Sequence, residues 1–295
     1  MQQPNSHSPV IHKLLVGSPG FPEVLRQIPS APAQLFHRGA PLEELLRRPR
    51  VAIVGSRSVS PYGKQVTTQL ARQLAEQGVV IVSGLALGVD GLAHQAAIEA
   101  GGQAIAVLPG PLEAIVPTTN RRLAQTILDS GGALVSEYTA GTPPQKQNFI
   151  ARNRLVAGLS QAVLITEAAE KSGSLHTARF ALEQGKDVLA VPGNITSVGS
   201  VGTNNLIKAG AAPITSYRDV LYALGLEEHQ TAMQHIRGRN AHEQQVLDLM
   251  LQGVAEGEQL LKQSQLSTSE FNQVLTMLEV GGKIRSLGAN QWAIH

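Results

Sequence analysis

Between Lys146 and Arg154 the chain reads KQNFIARNR, which crowds three cations, amide side chains and one aromatic ring into nine residues ahead of an apolar helix. Guanidinium and ammonium groups suit phosphates. A ring among them suits the face of a base, worth ~1–3 kcal/mol per stacked base. The plainer alternative makes Phe149 a core residue and pairs the arginines with Glu137 or Glu167. At least one arginine is expected to behave that way, because a buried guanidinium needs a carboxylate.

Four further stretches have the make-up of anion sites. Gly55-Ser56-Arg57-Ser58, followed by Ser60-Pro61-Tyr62-Gly63, offers a glycine for close approach, serines to cap a helix, and a cation. Free amides and the helix dipole at such a start favour an anion. The alternative is a well-capped helix with a solvated arginine. Ser83-Gly84-Leu85-Ala86-Leu87-Gly88-Val89-Asp90-Gly91 leads to His94. Asp90 and His94 stand four apart on one helical face, so a hydrogen bond that steadies the histidine is expected. No nucleophile accompanies them, which argues against an acid–base pair. Ser172-Gly173-Ser174 forms an amide nest ahead of a helix. Pro192-Gly193-Asn194, with Gly199 to Asn205, adds more amides.

Five such loops exceed what one nucleotide requires and suit a backbone with several phosphates. A dinucleotide site would show Gly-x-Gly-x-x-Gly after the first strand and an acid ending the second. GSRSVS and VVIVSG fail both tests, and no Gly-Lys-Ser/Thr phosphate loop occurs. There is no cysteine, so disulfides and thiolate metal sites are excluded. No metal and no cofactor are expected. The net charge of +2 is too small to argue nucleic-acid binding on its own. With aromatics at 3%, any stacking rests on one or two rings.

The elements that must position these loops follow a rhythm. VAIVG (51–55), VVIVSG (79–84), AIAVLPG (104–110), ALVSE (133–137), AVLITEA (162–168) and DVLAVPG (187–193) are continuous apolar runs ending in Gly, Ser, Pro or acid. Such runs suit strands buried on both faces of a parallel sheet. Helical spacing lies between them, as in Val66–Leu70–Leu74 and Thr177–Phe180–Ala181. The repetition means a doubly wound α/β domain over about 45–225, preceded by a partly ordered, Pro- and Gly-rich lead-in (1–44). Leu42 to Arg48 reads as a short helix within and just beyond that lead-in. Polar residues 226–240 read as a linker. Residues 241–295 read as three small helices and a hairpin, like a winged helix. From Thr231 onward this tail has five Lys/Arg against six Asp/Glu, a net −1 that grips phosphates poorly, so it is expected to meet protein or at most a local DNA patch. The polar amino end lacks a secretory pattern and no apolar stretch reaches the ~20 residues of a membrane span, so a soluble, cytoplasmic protein is expected.

Together, VAIVGSRSVSPYG, SGLALGVDGLAHQAA, SEYTAGTPPQKQNFIARNRLVAGLS and SGSLHTARFALEQGKDVLAVPGN closely resemble the DNA-processing protein A family (DprA, also called Smf), over about Phe21 to Ala212. The resemblance implies an extended Rossmann fold that binds single-stranded DNA and loads the RecA recombinase on it, chiefly in natural transformation, without catalysis. It implies that Arg57 and Lys146 meet phosphates and Phe149 stacks a base. Gly55, Ser56, Ser83, Gly84, Arg152, Asn153, Ser172, Gly173 and Ser174 would line the same pocket. It also implies a homodimer through the sheet edge near Asn205 to Ala211, and a winged-helix tail. The competing class is a nucleotide phosphoribohydrolase on a similar core. PGNITSVGSVGTNNL has that enzyme's glycines but no glutamate, which leaves no obvious acid for the sugar bond.

Overall fold

The computed structural model describes residues 10–143, 145–226, 238–288 and 290–294. It divides into two units, Met1–Glu228 and His229–His295. Residues 227–237, most of the stretch read as a linker, lie outside the described residues.

The larger unit is built on one nine-stranded sheet. Its strands are β1 (His12–Leu15), β2 (Gln34–Gly39), β3 (Arg50–Val54), β4 (Val80–Ser83), β5 (Ala104–Val107), β6 (Ala133–Ser136), β7 (Ala162–Ile165), β8 (Asp187–Ala190) and β9 (Ala212–Pro213). Their spatial order is β1-β2-β6-β5-β4-β3-β7-β8-β9. The seven from β6 to β9 are parallel, and β1 and β2 join antiparallel at the β6 edge. Each of the six apolar runs contains a strand, β3 to β8, as their composition implies.

The sheet is buried on both sides because its side chains alternate between two cores. Ala52 and Val54 of β3 enter one cluster while Val51 and Ile53 enter the other; Val163 and Ile165 of β7 part from Ala162 and Leu164 in the same way. On one face Leu70 and Leu74 of the helix Pro61–Glu76 pack with Ala93 and Ala97 of Val89–Glu99. On the other lie Leu155 and Val156 of Lys146–Gly158 and Ala178 and Ala181 of Ser174–Glu183. Fully burying each such leucine or valine contributes roughly 1.5–3 kcal/mol.

Composition hides the structure of the amino-terminal stretch. The segment read as a lead-in supplies two strands, and Phe21, Leu25 and Ile28 cover the Lys146–Gly158 helix. Contact there is close: a Cβ on Gly158 would come within 2.7 Å of Leu25 Cδ2. The strands are short and flanked by Pro and Gly, which masks their alternation. The run read as helical from Leu42 forms Leu42–Leu46.

In the smaller unit, helices Ala241–Leu251, Gly257–Ser264 and Thr268–Val280 and the hairpin β10 (Ile284–Gly288) to β11 (Gln291–Ile294) enclose Leu247, Leu260, Phe271, Leu278 and Ile284. The side chains of Asn240 and Ser267 cap two of these helices. No helix among the described residues is long and apolar enough to cross a membrane.

Candidate nucleic-acid interface

Strand order reverses at β3, which pairs with β4 on one side and β7 on the other. The chain leaves β3 toward β4 and leaves β7 toward β8, so the two loops diverge and a crevice opens between them. A cleft of about 600 Å³ occupies this place. Gly55, Ser56, Arg57 and Ser58 form one wall and Ala169, Lys171, Ser172, Gly173 and Ser174 the opposite one. Lys146, Phe149, Ile150, Arg152 and Asn153 of the Lys146–Gly158 helix close the third side, and Ala86 and Asp90 reach the floor.

Arg57, Lys146 and Phe149 therefore share one cavity. The Arg57 guanidinium carbon stands 5.2 Å from the Phe149 ring centroid, within cation–π range. The ring is half-buried; Arg57, Lys146 and Lys171 are exposed. Among the described residues none of these three cations forms an ion pair with a carboxylate. The opposite wall ends at the amino terminus of Ser174–Glu183, whose dipole favours negative charge. Its Ser172 and Ser174 hydroxyls are 2.8 Å apart, and a Cβ on Gly173 would meet only open space.

The two other cations of the KQNFIARNR stretch turn inward. Arg154 pairs with both oxygens of Glu137 at 2.6 and 2.7 Å, as expected for at least one arginine, and its Nε donates to Ser30 O at 2.9 Å. Arg152 is 3% exposed. Its Nη1 donates to Gly84 O at 2.6 Å and to Val107 O, so it pins the helix to the carboxyl ends of β4 and β5. Burial pushes its pKa down to about 10; Asp90 opposes that shift and Arg57 adds to it. Burial likewise raises Asp90, against the pull of Arg152 and the amides of Ala86 and Gly84. Arg152 thus touches the cleft from below and serves mainly to fix the helix that bears Lys146 and Phe149.

Several expected contacts are placed differently. Ser83 and Gly84 lie beneath the cleft. The Ser83 hydroxyl donates to Ile53 O at 2.7 Å and the Gly84 amide to Asp90 Oδ2 at 3.1 Å. Gly84 makes room for protein instead of ligand: a Cβ there would strike the Arg152 guanidinium at 2.3 Å. Gly55 is also needed inside, since its Cβ would meet Glu167 O and Val89 Cγ2 at 2.7 Å. The Ser56 amide is spent on Glu167 O at 2.8 Å, and its hydroxyl on Ser58 O at 2.9 Å. Asn153 faces the cleft, with Nδ2 3.4 Å from Gly173 O.

The expected Asp90–His94 bond does not form. Asp90 closes the 84–86 turn instead, accepting from Gly84 and Ala86. The imidazole of His94 is fully buried, with the Ser83 backbone as its polar neighbour. The fifth loop also stands apart: Pro192, Gly193 and Asn194 border a separate hollow with Ser60 and Tyr62. Four loops, not five, meet at the cleft. Lys171 was the cation that motif reading passed over, although it directly precedes the Ser172-Gly173-Ser174 nest. Among the described residues no cluster of His, Asp and Glu could hold a metal ion.

Residues 12–225 match the family model described as DNA recombination-mediator protein A, and residues 230–290 match the DprA winged helix domain. The chain belongs to this family. It is 43% identical over 229 residues to Protein Smf of Escherichia coli K12, a match covering 78% of this chain and 59% of that relative's length. The X-ray structure of DprA from Streptococcus pneumoniae aligns with a TM-score of 0.67 at 41% identity, covering 72% of this chain and 74% of that one. DprA from Helicobacter pylori, whose structure is described in terms of its single-stranded DNA binding mode, aligns at 0.65 and 38% identity, covering 72% and 95%. The DprA family fold, a mostly parallel sheet with a winged-helix domain, is thus the fold of this chain.

Proposed function

We propose that this chain binds single-stranded DNA in the cleft between the β3 and β7 loops, with phosphates on Arg57, Lys146 and Lys171 and a base on the Phe149 ring. One observation carries the reading: three cations without carboxylate partners among the described residues and one accessible ring share a cavity at the point where strand order reverses. Phosphates supply the missing anions, and the ring accepts any base without reading sequence. The Helicobacter pylori relative, described as binding single-stranded DNA, supports the same ligand here. Asp90, the carboxylate at the floor, is buried and engaged by two amides, so it is poorly placed for the acid–base work of a phosphoribohydrolase. The reading involves no catalytic step and no cofactor.

In this role the protein is a cytoplasmic recombination mediator that loads RecA on the bound strand, chiefly in natural transformation. It acts as a homodimer through the β9 edge near Asn205 to Ala211. Fluorescence anisotropy against single- and double-stranded oligonucleotides at two salt concentrations tests the binding. Arg57→Ala and Lys146→Ala are each expected to weaken single-strand binding for every sequence and to reduce the salt slope by about 0.7. Unchanged affinity and slope in both variants would reject the assignment.

A further inference from the structure

A second cleft, of about 800 Å³, adjoins the first. Arg57 and Ser58 line both and therefore stand between them. Its other walls come from the helices Pro61–Glu76, Val89–Glu99 and Arg121–Asp129. Lys64 and Arg122 are exposed on its rim. Neither forms an ion pair with a carboxylate among the described residues. The one carboxylate in the lining, Glu99, is engaged by Arg72 at 3.4 Å and Gln95 at 2.8 Å. The same lining includes apolar surface from Leu87, 50% exposed, and Leu123.

We propose that this second cleft is a further nucleotide subsite, which takes the single strand as it passes over Arg57 out of the first. This rests on the first cleft holding the strand. Lys64 and Arg122 would take backbone phosphates, and the apolar surface of Leu87 and Leu123 would support a base through apolar contact without a ring. That surface distinguishes a nucleotide from a bare anion, which has no use for exposed leucine. The placement distinguishes a continuing strand from an isolated nucleotide, because Arg57 serves both clefts. Just below, the backbone of buried Leu85 is held at φ 54°, in the left-handed region. Asn120 Nδ2, donating to Leu85 O at 2.9 Å and Ala86 O at 3.2 Å, secures the turn that presents Leu87.

The test compares a tetranucleotide, short enough to be held by the first cleft alone, with a twenty-mer. In the Lys64→Ala/Arg122→Ala protein, twenty-mer affinity is expected to fall severalfold and its salt slope by about 1.4, two single-strand phosphate contacts. Tetranucleotide affinity stays at the wild-type value. Leu87→Asp also weakens only the twenty-mer. Arg121→Ala removes the same charge beside Arg122 but outside the lining, and leaves both affinities unchanged. Equal losses for both lengths, or an Arg121→Ala effect as large as that of Arg122→Ala, would show diffuse attraction and overturn the subsite. So would a twenty-mer insensitive to Lys64, Arg122 and Leu87 while Arg57→Ala and Lys146→Ala still weaken binding. Insensitivity to Arg57 and Lys146 as well would overturn the first reading together with this one.

Discussion

The Arg57 guanidinium lies against the one ring in the first cleft, which couples the phosphate site to the base site. A cation over a phenyl face at an exposed position contributes about 0.5–1 kcal/mol. Phe149→Ala should cost roughly one stacked base, ~1–3 kcal/mol of binding. The Arg57→Ala/Phe149→Ala pair should then be non-additive, since each single change already removes the contact that orients the other. A double-mutant cycle by anisotropy checks this; strict additivity would mean that the two side chains act independently. These residues were legible because a ring among cations is an uncommon pattern, although the cluster opens the helix Lys146–Gly158 where the sequence placed it ahead of one. Lys171 shows the limit: a lone lysine before a serine–glycine turn has no pattern of its own until the sheet brings β3 and β7 together. Asp90 and His94 show another. Four-residue spacing puts two side chains on one face, but two backbone amides of a tight turn competed for the carboxylate and won.

At the scale of elements, the helix Lys146–Gly158 explains how exposed cations are held in register. Its first turn carries Lys146 and Phe149, while Arg152 and Arg154 tie it to the ends of β4 and β5 and to Glu137. Its last carbonyls are also filled: Lys186 Nζ donates to Ala157 O, Gly158 O and Ser160 O at 2.6–2.7 Å. Arg152→Ala leaves the buried Gly84 O and Val107 O without their donor, and each unsatisfied carbonyl should cost about 1–3 kcal/mol of stability. Arg152→Lys keeps the charge but not the fork, and should recover only part of that stability. Chemical denaturation measures both; a near-neutral Arg152→Ala would refute the tether. Gly173→Ala is the contrasting case. Its Cβ has open space, so the fold should be unaffected while binding weakens as the methyl group enters the cleft. The strands β3 to β8 were readable from their apolar runs because both faces are buried. The glycines misled on one point: Gly55 and Gly84 serve close packing among the loops, and a sequence does not say whether a glycine faces ligand or protein.

On the scale of the whole molecule, a buried imidazole should contribute to the response to acid. Burial, reinforced by Arg152, holds the His94 pKa at about 3, far below its ordinary 6.5. Below about pH 6.5 the unfolded chain takes up a proton that the folded ring refuses. Stability is therefore lost as pH falls toward 3, by up to ~1.4 kcal/mol per unit from this residue. Denaturation midpoints between pH 7 and 4 should show that limb, and His94→Leu should flatten it; an unchanged slope would mean that other groups control acid sensitivity. The amino-terminal strands were the part of the fold least legible in advance, because two short edge strands between Pro- and Gly-rich turns look like loop until β6 offers them a partner.

The claim that a base of a bound single strand stacks at position 149, beside Arg57 and Lys146, can be read directly by fluorescence. The chain has a single tryptophan, Trp292, so a Phe149→Trp/Trp292→Phe protein reports only from the cleft. Titration with oligothymidylate should quench that indole, saturating at the affinity measured by anisotropy, and adding Lys146→Ala should shift both curves together. Binding that leaves the emission at position 149 unchanged would place the strand elsewhere and contradict the account.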